Sequence, residues 1–158
     1  MRGKFVAFII GGMLGVPVGA FLWYAISPLL FDEVVVETLT EAQIVASGAF
    51  RDADRAHRGM GNAMLVALPG GSHEVQLTEF EVTNGPDLEV WLSAHPDPDS
   101  RSDVTGNEWL ALGQLKGNVG DQAYAIPAGT DIGAFKSVVI WCEQFGVLFS
   151  PAALQPGT

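Results

Sequence analysis

The chain has 158 residues, of which eight are basic and eighteen acidic, giving a formal net charge of −10 at pH 7. Phosphate binding requires clustered Lys and Arg, so this balance argues against nucleic acid as a partner. A single cysteine excludes an intramolecular disulfide, and the length allows one domain with an appendage.

The N-terminal stretch over residues 5–31 contains no charged side chain. It is longer than the roughly 20 apolar residues that cross the hydrocarbon core of a bilayer. Trp23 and Tyr24 are the amphipathic aromatic residues that favour a membrane interface. We therefore predict a transmembrane anchor with a short cytoplasmic head over residues 1–31, in contact with the lipid bilayer through residues 5–31.

The charges that flank this stretch predict its orientation. Arg2 and Lys4 precede it, whereas Asp32 and Glu33 follow it, so the N-terminus is expected in the cytoplasm and the rest outside. The exported part then has six basic and eighteen acidic side chains, a net charge of 6 − 18 = −12. The alternative is a cleaved signal peptide, although no convincing small-x-small cleavage site follows the apolar run. Either interpretation exports the domain.

The next residues change character twice. Residues 32–46 are acidic and rich in Val and Thr without a clear periodicity, so we interpret them as a stalk. From Ser47 onwards glycine residues separate short apolar runs, which is typical of an all-β domain. The domain is expected over residues 47–154, with a tail over residues 155–158.

The first predicted strands form a hairpin. Ala63 to Leu68 and His73 to Val82 are strand-like and are separated by a turn of Pro, Gly and Ser. The apolar residues of the second strand change phase within it, which predicts a β-bulge near Thr78 and Glu79.

Further strands follow turn signals. Leu88 to Ser93 alternates apolar and polar residues and follows a strong turn sequence, which predicts a half-buried strand. His95 to Asn107 is interpreted as a polar loop, longer than most connections. Glycine residues at corners then separate short elements up to Pro127.

The last two predicted strands are Ser137 to Cys142 and Phe145 to Phe149, and Ser150-Pro151 is expected to end regular structure. With a period of two, Cys142 faces the same side as Val138 and Ile140, and Trp141 faces the other. Six to eight short strands without an internal repeat predict an antiparallel β-sandwich.

A set of sequence blocks has a recognisable order. They are Thr83 to Leu88; Leu112 and Gly113 with Leu115 to Gly117; Gly120 with Gln122 and Tyr124; Ile126 and Pro127; and Ser137 to Cys142 with Phe145, Val147 and Phe149. In this order they resemble the electron-transfer DM-thirteen (DM13) domain family over residues 47–154. Phe135, where the family often has tyrosine, and the longer loop over residues 96–107 are departures.

The resemblance implies a β-sandwich related to extracellular haem- and sugar-binding domains, in which the cysteine at Cys142 is a redox group. It also marks supporting motif residues: Asn84, Gly85, Pro86, Asp87, Lys116, Gly117 and Trp141. No cofactor is firmly implied, and the partner that the resemblance implies is a redox protein.

The residues alone leave the role of Cys142 open. Free cysteine is often a buried small hydrophobe. A redox role needs access and a stabilised thiolate, and Glu143, the nearby charge in sequence, disfavours a thiolate. One-electron, sulfenate and mixed-disulfide chemistry are the candidate reactions, and an intermolecular bridge would require exposure.

Haem is a second hypothesis. His57 and Met60 are close enough in sequence to be axial ligands on one loop, and His73 and His95 are other donors. The chain has no C-x-x-C-H motif, which excludes covalent c-type attachment. Polar surroundings favour ordinary surface histidines.

A calcium loop is a third hypothesis. Asp97, Asp99, Asp103 and Glu108 occupy positions one, three, seven and twelve of such a loop. However, Arg101 stands at a ligand position, and Ser102 replaces the glycine of the sharp turn. A solvated acidic loop is the simpler interpretation.

Two motif features have structural interpretations. Asn84 to Asp87 is a turn in which Asp87 could cap a backbone amide, and Lys116 is expected to be exposed or to orient an acidic group or partner. The sequence favours an exported electron-transfer domain over an enzyme with a substrate pocket. The alternative is a non-redox interaction or adhesion module with Cys142 in its core, which binds a partner through its acidic surface or the loop over residues 95–107.

Overall fold

The computed structural model describes residues 11–23, 27 and 31–157 and divides the chain into two units, Met1–Phe31 and Asp32–Thr158. In the first unit, residues 11–23 are helical (α1). None of the helices in the described residues is both long and apolar enough to span a bilayer. Residues 5–10, 24–26 and 28–30 of the predicted anchor lie outside the described residues, so the anchor stays a prediction.

The second unit is built almost entirely of strands. They are β1 (Gln43–Ala49), β2 (Gly59–Ala67), β3 (His73–Val82), β4 (Leu88–Ser93), β5 (Trp109–Gln114), β6 (Gln122–Ile126), β7 (Ser137–Cys142), β8 (Val147–Ala153) and β9 (Gln155–Pro156). The short helix α2 (Arg101–Thr105) precedes β5, and a 3₁₀ turn (Ile132–Ala134) precedes β7.

The strands form two antiparallel sheets. The first has the order β6-β3-β2-β1-β9, and the second has the order β5-β4-β7-β8. This arrangement confirms the predicted all-β fold with two antiparallel sheets. The described residues form nine strands rather than six to eight, because β1 and β9 come from segments that the sequence assigned to the stalk and the tail.

The main core lies between the sheets and is built from alternate residues of each strand. In β7, Val138, Ile140 and Cys142 join this core, whereas Val139 and Trp141 join a smaller cluster on the outer face of the second sheet. The period-two prediction for this strand is therefore confirmed. The smaller cluster also contains Val104 of α2, which is fully buried.

The predicted bulge in β3 is also confirmed. Met60 pairs with Glu81 and Asn62 pairs with Thr78, so one residue of β2 faces two residues of β3. Glu79 has a φ of 50°, a conformation that costs a non-glycine residue energy. The extra residue restores the apolar phase, which places Phe80 in the core.

The structure differs from the predicted stalk over residues 32–46. Its last residues belong to β1, and two of its earlier backbone amides bind the loop before β6: Val35 N–H donates to Val119 O and Glu37 N–H to Asp121 O, both at 2.9 Å. These pairings could not be predicted from the sequence. They are hydrogen bonds between backbone atoms, which leave no apolar side-chain pattern in the stretch. The predicted tail also differs, since β9 pairs with Ala46 and Ser47 of β1.

Two further expectations fail. Regular structure does not end at Ser150-Pro151, because β8 continues to Ala153. β8 is the edge strand of its sheet, where a proline that lacks an N–H is tolerated. The loop over residues 95–107 contains α2, whose N-cap Ser100 accepts a hydrogen bond from Asp103 N–H.

Candidate functional site

Cys142 is the last residue of β7 and lies at one end of the sandwich. Its exposed fraction is 0% and it is a free thiol. β7 is central in its sheet, paired with β4 and β8, and the Cys142 side chain belongs to the core between the two sheets. Reagents that must touch the sulfur, including a second thiol, therefore need a local opening of this end.

Backbone groups surround the sulfur. The Cys142 thiol donates a hydrogen bond to Pro86 O, with Sγ and the oxygen 3.0 Å apart. On the other side, a tight turn joins β7 to β8, and Gly146 N–H donates to Cys142 O at 2.8 Å. The chain therefore fixes the thiol between two turns, one before β4 and one after β7.

The pKa of Cys142 is raised above the ordinary thiol value, chiefly because burial removes the thiolate from water. The negative charge of Asp87 raises the pKa further, whereas hydrogen bonds from the backbone N–H groups of Phe145 and Gln144 lower it. Glu143, the charge expected from the sequence to act on the thiol, is exposed in the turn. The protonated thiol is the form that this site favours.

The Asn84 to Asp87 turn holds the thiol's acceptor in place. Asp87 has a φ of 55°, and its carbonyl accepts a hydrogen bond from Glu143 N–H at 3.0 Å. Its carboxylate accepts from the side chain of Gln114 rather than from a backbone amide. A Cβ at Gly85 would lie 2.6 Å from the Phe149 ring, so glycine is required for this close approach.

Lys116 orients an acidic group. Its Nζ donates to both carboxylate oxygens of Glu37, at 2.7 and 2.9 Å, and to Ala123 O at 2.8 Å. The hydrogen bond from Lys116 is the largest cause of the lowered pKa of Glu37. Lys116 is exposed, as expected from the sequence, and its ion pair attaches the segment before β1 to the domain.

The motif residues around Lys116 have a structural role. Gln122 is fully buried; its Nε2 donates to Gly117 O at 2.9 Å, and its Oε1 accepts from Tyr124 OH at 2.6 Å. Burial raises the pKa of Tyr124, and Tyr124 OH in turn accepts from Lys116 N–H at 2.9 Å. This network shapes the loop before β6 and does not reach the thiol.

Three tryptophan rings lie in contact on the outer face of the second sheet. The Trp91 and Trp109 rings stack with centroids 4.1 Å apart and an interplanar angle of 13°, and the Trp91 and Trp141 centroids are 5.3 Å apart. Trp91 and Trp141 are buried, whereas Trp109 is 45% exposed. Trp141 directly precedes Cys142 in β7.

The proposed haem ligands do not form an open site. His57 Nδ1 lies 2.8 Å from Asp54 Oδ2, and the imidazole packs on the Phe149 ring with centroids 4.3 Å apart. Hydrogen bonds, first from the His57 side chain, lower the pKa of Asp54 to about 2. Met60 is mostly exposed on β2, so these two residues do not enclose a haem pocket, and haem binding stays a prediction.

The other histidines are separated from this pair. His73 begins β3, whereas the Nδ1 atom of His95 accepts a hydrogen bond from Asp97 N–H at 3.2 Å. His57 precedes β2 and His95 follows β4, so the three histidines lie on different elements.

The acidic residues of the proposed calcium loop point to other partners. Arg51 Nη2 pairs with Asp97 at 2.7 Å and with Asp99 at 2.6 Å, while Asp103 accepts from Ser100 Oγ at 2.8 Å. Glu108 contributes its carbonyl to Ala94 N–H. Among the residues for which the structure gives positions, no group of three or more His, Cys, Asp or Glu side chains could hold a metal ion.

Comparison with known families decides the relationship that the motif order suggested. The sequence model of the electron transfer DM13 family matches residues 50–154, more than half of the chain. The chain belongs to the electron transfer DM13 family. A search of curated proteins finds no match, and neither does a search of the solved structures.

The DM13 match coincides with most of the sandwich. It begins just after β1 and ends just before β9, and it includes both turns that enclose Cys142. The two strands outside it pair with each other at one side of the first sheet.

Three residues near β7 were not predicted from the sequence to belong to the site. Glu89, Trp91 and Trp109 were not singled out, although Glu89 and Trp91 are two positions apart on one strand and so share a face. That spacing was a readable signal, and Trp91 Nε1–H does donate to Glu89 Oε2 at 2.7 Å. Trp109 had no local signal, because its contact with Trp91 depends on the register between β4 and β5.

Proposed function

We propose that this DM13 protein is a membrane-anchored, extracytoplasmic electron-transfer domain that acts through Cys142. Family membership supports electron transfer. The uncharged stretch over residues 5–31 supports anchoring, and the flanking charges support export of the sandwich. The observation that carries the mechanism is the fixed, fully buried thiol, whose proton is donated to Pro86 O.

Burial selects among the candidate reactions of the thiol. Sulfenate and mixed-disulfide formation require an oxidant or a second sulfur to touch Sγ, and the thiolate is the reactive species. The site covers Sγ and raises the pKa of Cys142, mainly by desolvation, so both reactions are disfavoured in the closed domain. One-electron oxidation needs no direct contact, because an electron can leave through the surrounding protein. Cys142 is therefore assigned to one-electron chemistry.

A specific observation favours a second candidate function. Cys142 is a member of the main core cluster together with Ile140 and Leu88. A buried cysteine can fill core volume without any chemistry, so this position fits a non-redox interaction or adhesion module equally well. In that module the partner would contact the acidic surface or the loop over residues 95–107.

Oxidation of Cys142 separates the two functions. The purified full chain in detergent is treated with a one-electron oxidant while folded and is then mixed rapidly with denaturant and a nitrone spin trap, so that the trap can reach Sγ. The sample is digested and analysed by mass spectrometry. We expect a trap adduct on the Cys142 peptide of the folded protein and none in Cys142→Ser. The unfolded wild-type chain is the positive control. An adduct in the unfolded chain only would assign Cys142 to packing and support the interaction module.

Anchoring has its own test. Membranes from cells that express a C-terminally tagged chain are washed with alkaline carbonate, and the tag is probed with protease from the outer side. We expect the full-length protein to stay in the membrane fraction with a protease-accessible domain. Release of a shorter chain, reduced by the mass of the apolar segment, would instead identify a cleaved signal peptide.

A further inference from the structure

The three tryptophan rings form a continuous line from the surface to the strand of Cys142. Trp109 on β5 is 45% exposed, Trp91 on β4 is 3% exposed, and Trp141 on β7 is 3% exposed. The centroid distances of 4.1 and 5.3 Å place each ring in contact with the next. Trp141 and Cys142 are adjacent in sequence, so their Cα atoms are about 3.8 Å apart.

Trp91, the middle ring, has a hydrogen bond that packing alone does not require. Trp91 Nε1–H donates to Glu89 Oε2 at 2.7 Å, which is a short hydrogen bond to a carboxylate. An oxidised indole is a cation with an acidic N–H, so a carboxylate at this position stabilises it and can take its proton. Trp91 and Trp141 are both buried, and Trp91 is the one that donates to a carboxylate.

We propose that Trp109, Trp91 and Trp141 form a hopping path that carries one electron from Cys142 to a one-electron oxidant, such as an oxidised metal centre of a partner, that contacts Trp109. The path rests on the redox function proposed for Cys142. It explains how a thiol with no exposed surface can exchange electrons with a partner.

The electron balance along this path closes. The oxidant removes one electron from Trp109 and is itself reduced. Trp91 returns an electron to Trp109, and its N–H proton moves to Glu89; Trp141 then reduces Trp91, and that proton returns. Finally the Cys142 thiol reduces Trp141 and becomes a thiyl radical. Its proton passes to water through a local opening of this end of the sandwich, since Sγ has no exposed surface in the closed domain.

The contact geometry also fits an ordinary packing role, because Trp91 and Trp141 belong to the cluster beneath α2. A packing role predicts that conservative variants alter stability alone. A hopping path predicts that they alter where the oxidation ends. The experiment therefore follows the position of the radical and the melting temperature together.

The test uses the full chain in detergent with a flash-generated ruthenium(III) tris-bipyridine oxidant, whose bulk prevents contact with Sγ. Transient absorption follows the tryptophan radical, and a spin trap added with denaturant directly after the flash records its arrival at Cys142. We expect Trp91→Phe to abolish the Cys142 adduct while a radical still forms at Trp109. Trp23→Phe, a tryptophan outside the sandwich, is the matched control and should leave the adduct unchanged.

Glu89→Gln tests the chemistry with little change in shape, since the amide oxygen can still accept from the indole. We expect slower radical transfer and a lower adduct yield at an unchanged melting temperature. If Trp91→Phe does not fold, the half-exposed Trp109→Phe provides the same test and should also lose the adduct.

The outcomes separate this path from the function on which it rests. An undiminished Cys142 adduct in both tryptophan variants overturns the path and leaves the redox role of Cys142 intact. Absence of the adduct in the wild-type chain, with a tryptophan radical whose lifetime Cys142→Ser does not change, overturns the redox role.

Discussion

Replacing Phe80 with alanine is expected to lower the free energy of unfolding by about 3–5 kcal/mol, the range for truncating a buried phenylalanine. Phe80 is 1% exposed, and its ring packs against Phe50 with centroids 5.1 Å apart. The alanine variant loses this contact and leaves a cavity between the sheets that the rigid strands fill only in part. Urea unfolding of residues 32–158, followed by tryptophan fluorescence, measures the change.

Phe145→Ala is the matched control for this prediction. Phe145 is 60% exposed in the turn after Cys142, so its truncation removes little buried surface. We expect a change within about 0.5 kcal/mol, the usual range for surface substitutions. Equal losses for the two variants would show that the core between the sheets does not carry the stability of the domain.

Replacing Gly120 with alanine is expected to release the segment before β1 and to destabilise the domain. Gly120 has a φ of 104°, and a Cβ there would collide with the Val35 carbonyl. A side chain at such a φ costs about 1–3 kcal/mol before the collision is counted. The collision pushes Val35 away from its hydrogen bond to Val119 O.

Gly70→Ala isolates the conformational part of this cost. Gly70 has a φ of 107°, close to that of Gly120, but a Cβ there meets nothing within 4 Å. Hydrogen exchange at the Val35 and Glu37 amides should accelerate in Gly120→Ala and stay at the wild-type rate in Gly70→Ala. Acceleration in neither variant would mean that the close contact at Gly120 does not hold this segment.

The predictable parts of the fold are those with a local pattern. The alternation in β4 and β7, the turn between β2 and β3, and the phase change in β3 each lie within one short stretch of sequence. The structure confirms the opposite faces of β4 and β7, the turn and the bulge. The expected half-burial of β4 is wrong, because Trp91 and Ser93 on its other face are also buried. The segment over residues 32–46 lacked such a pattern, because backbone hydrogen bonds and the Lys116–Glu37 pair attach it to the domain.

In the candidate site, too, the features with a local sequence pattern were predictable and the long-range contacts were not. The sequence placed Cys142 at the end of a buried strand, on the face of Val138 and Ile140, with Trp141 on the opposite face, because strand periodicity determines the direction of each side chain. It also placed a turn at Asn84 to Asp87. That this turn supplies the acceptor for the thiol is a long-range fact, since Pro86 and Cys142 are 56 residues apart.

The sequence by itself determined the all-β class, the faces of the cysteine strand and the DM13 family, because period-two patterns, turn residues and motif order are written within the chain. Only the tertiary structure decided that the thiol is covered, that Asp87 rather than Glu143 acts on its pKa, and that three tryptophan rings meet. Those facts depend on the register between β4 and its two neighbours. No tight turn joins β4 to either neighbour, so their register depends on how the apolar faces pack together and not on a local turn sequence.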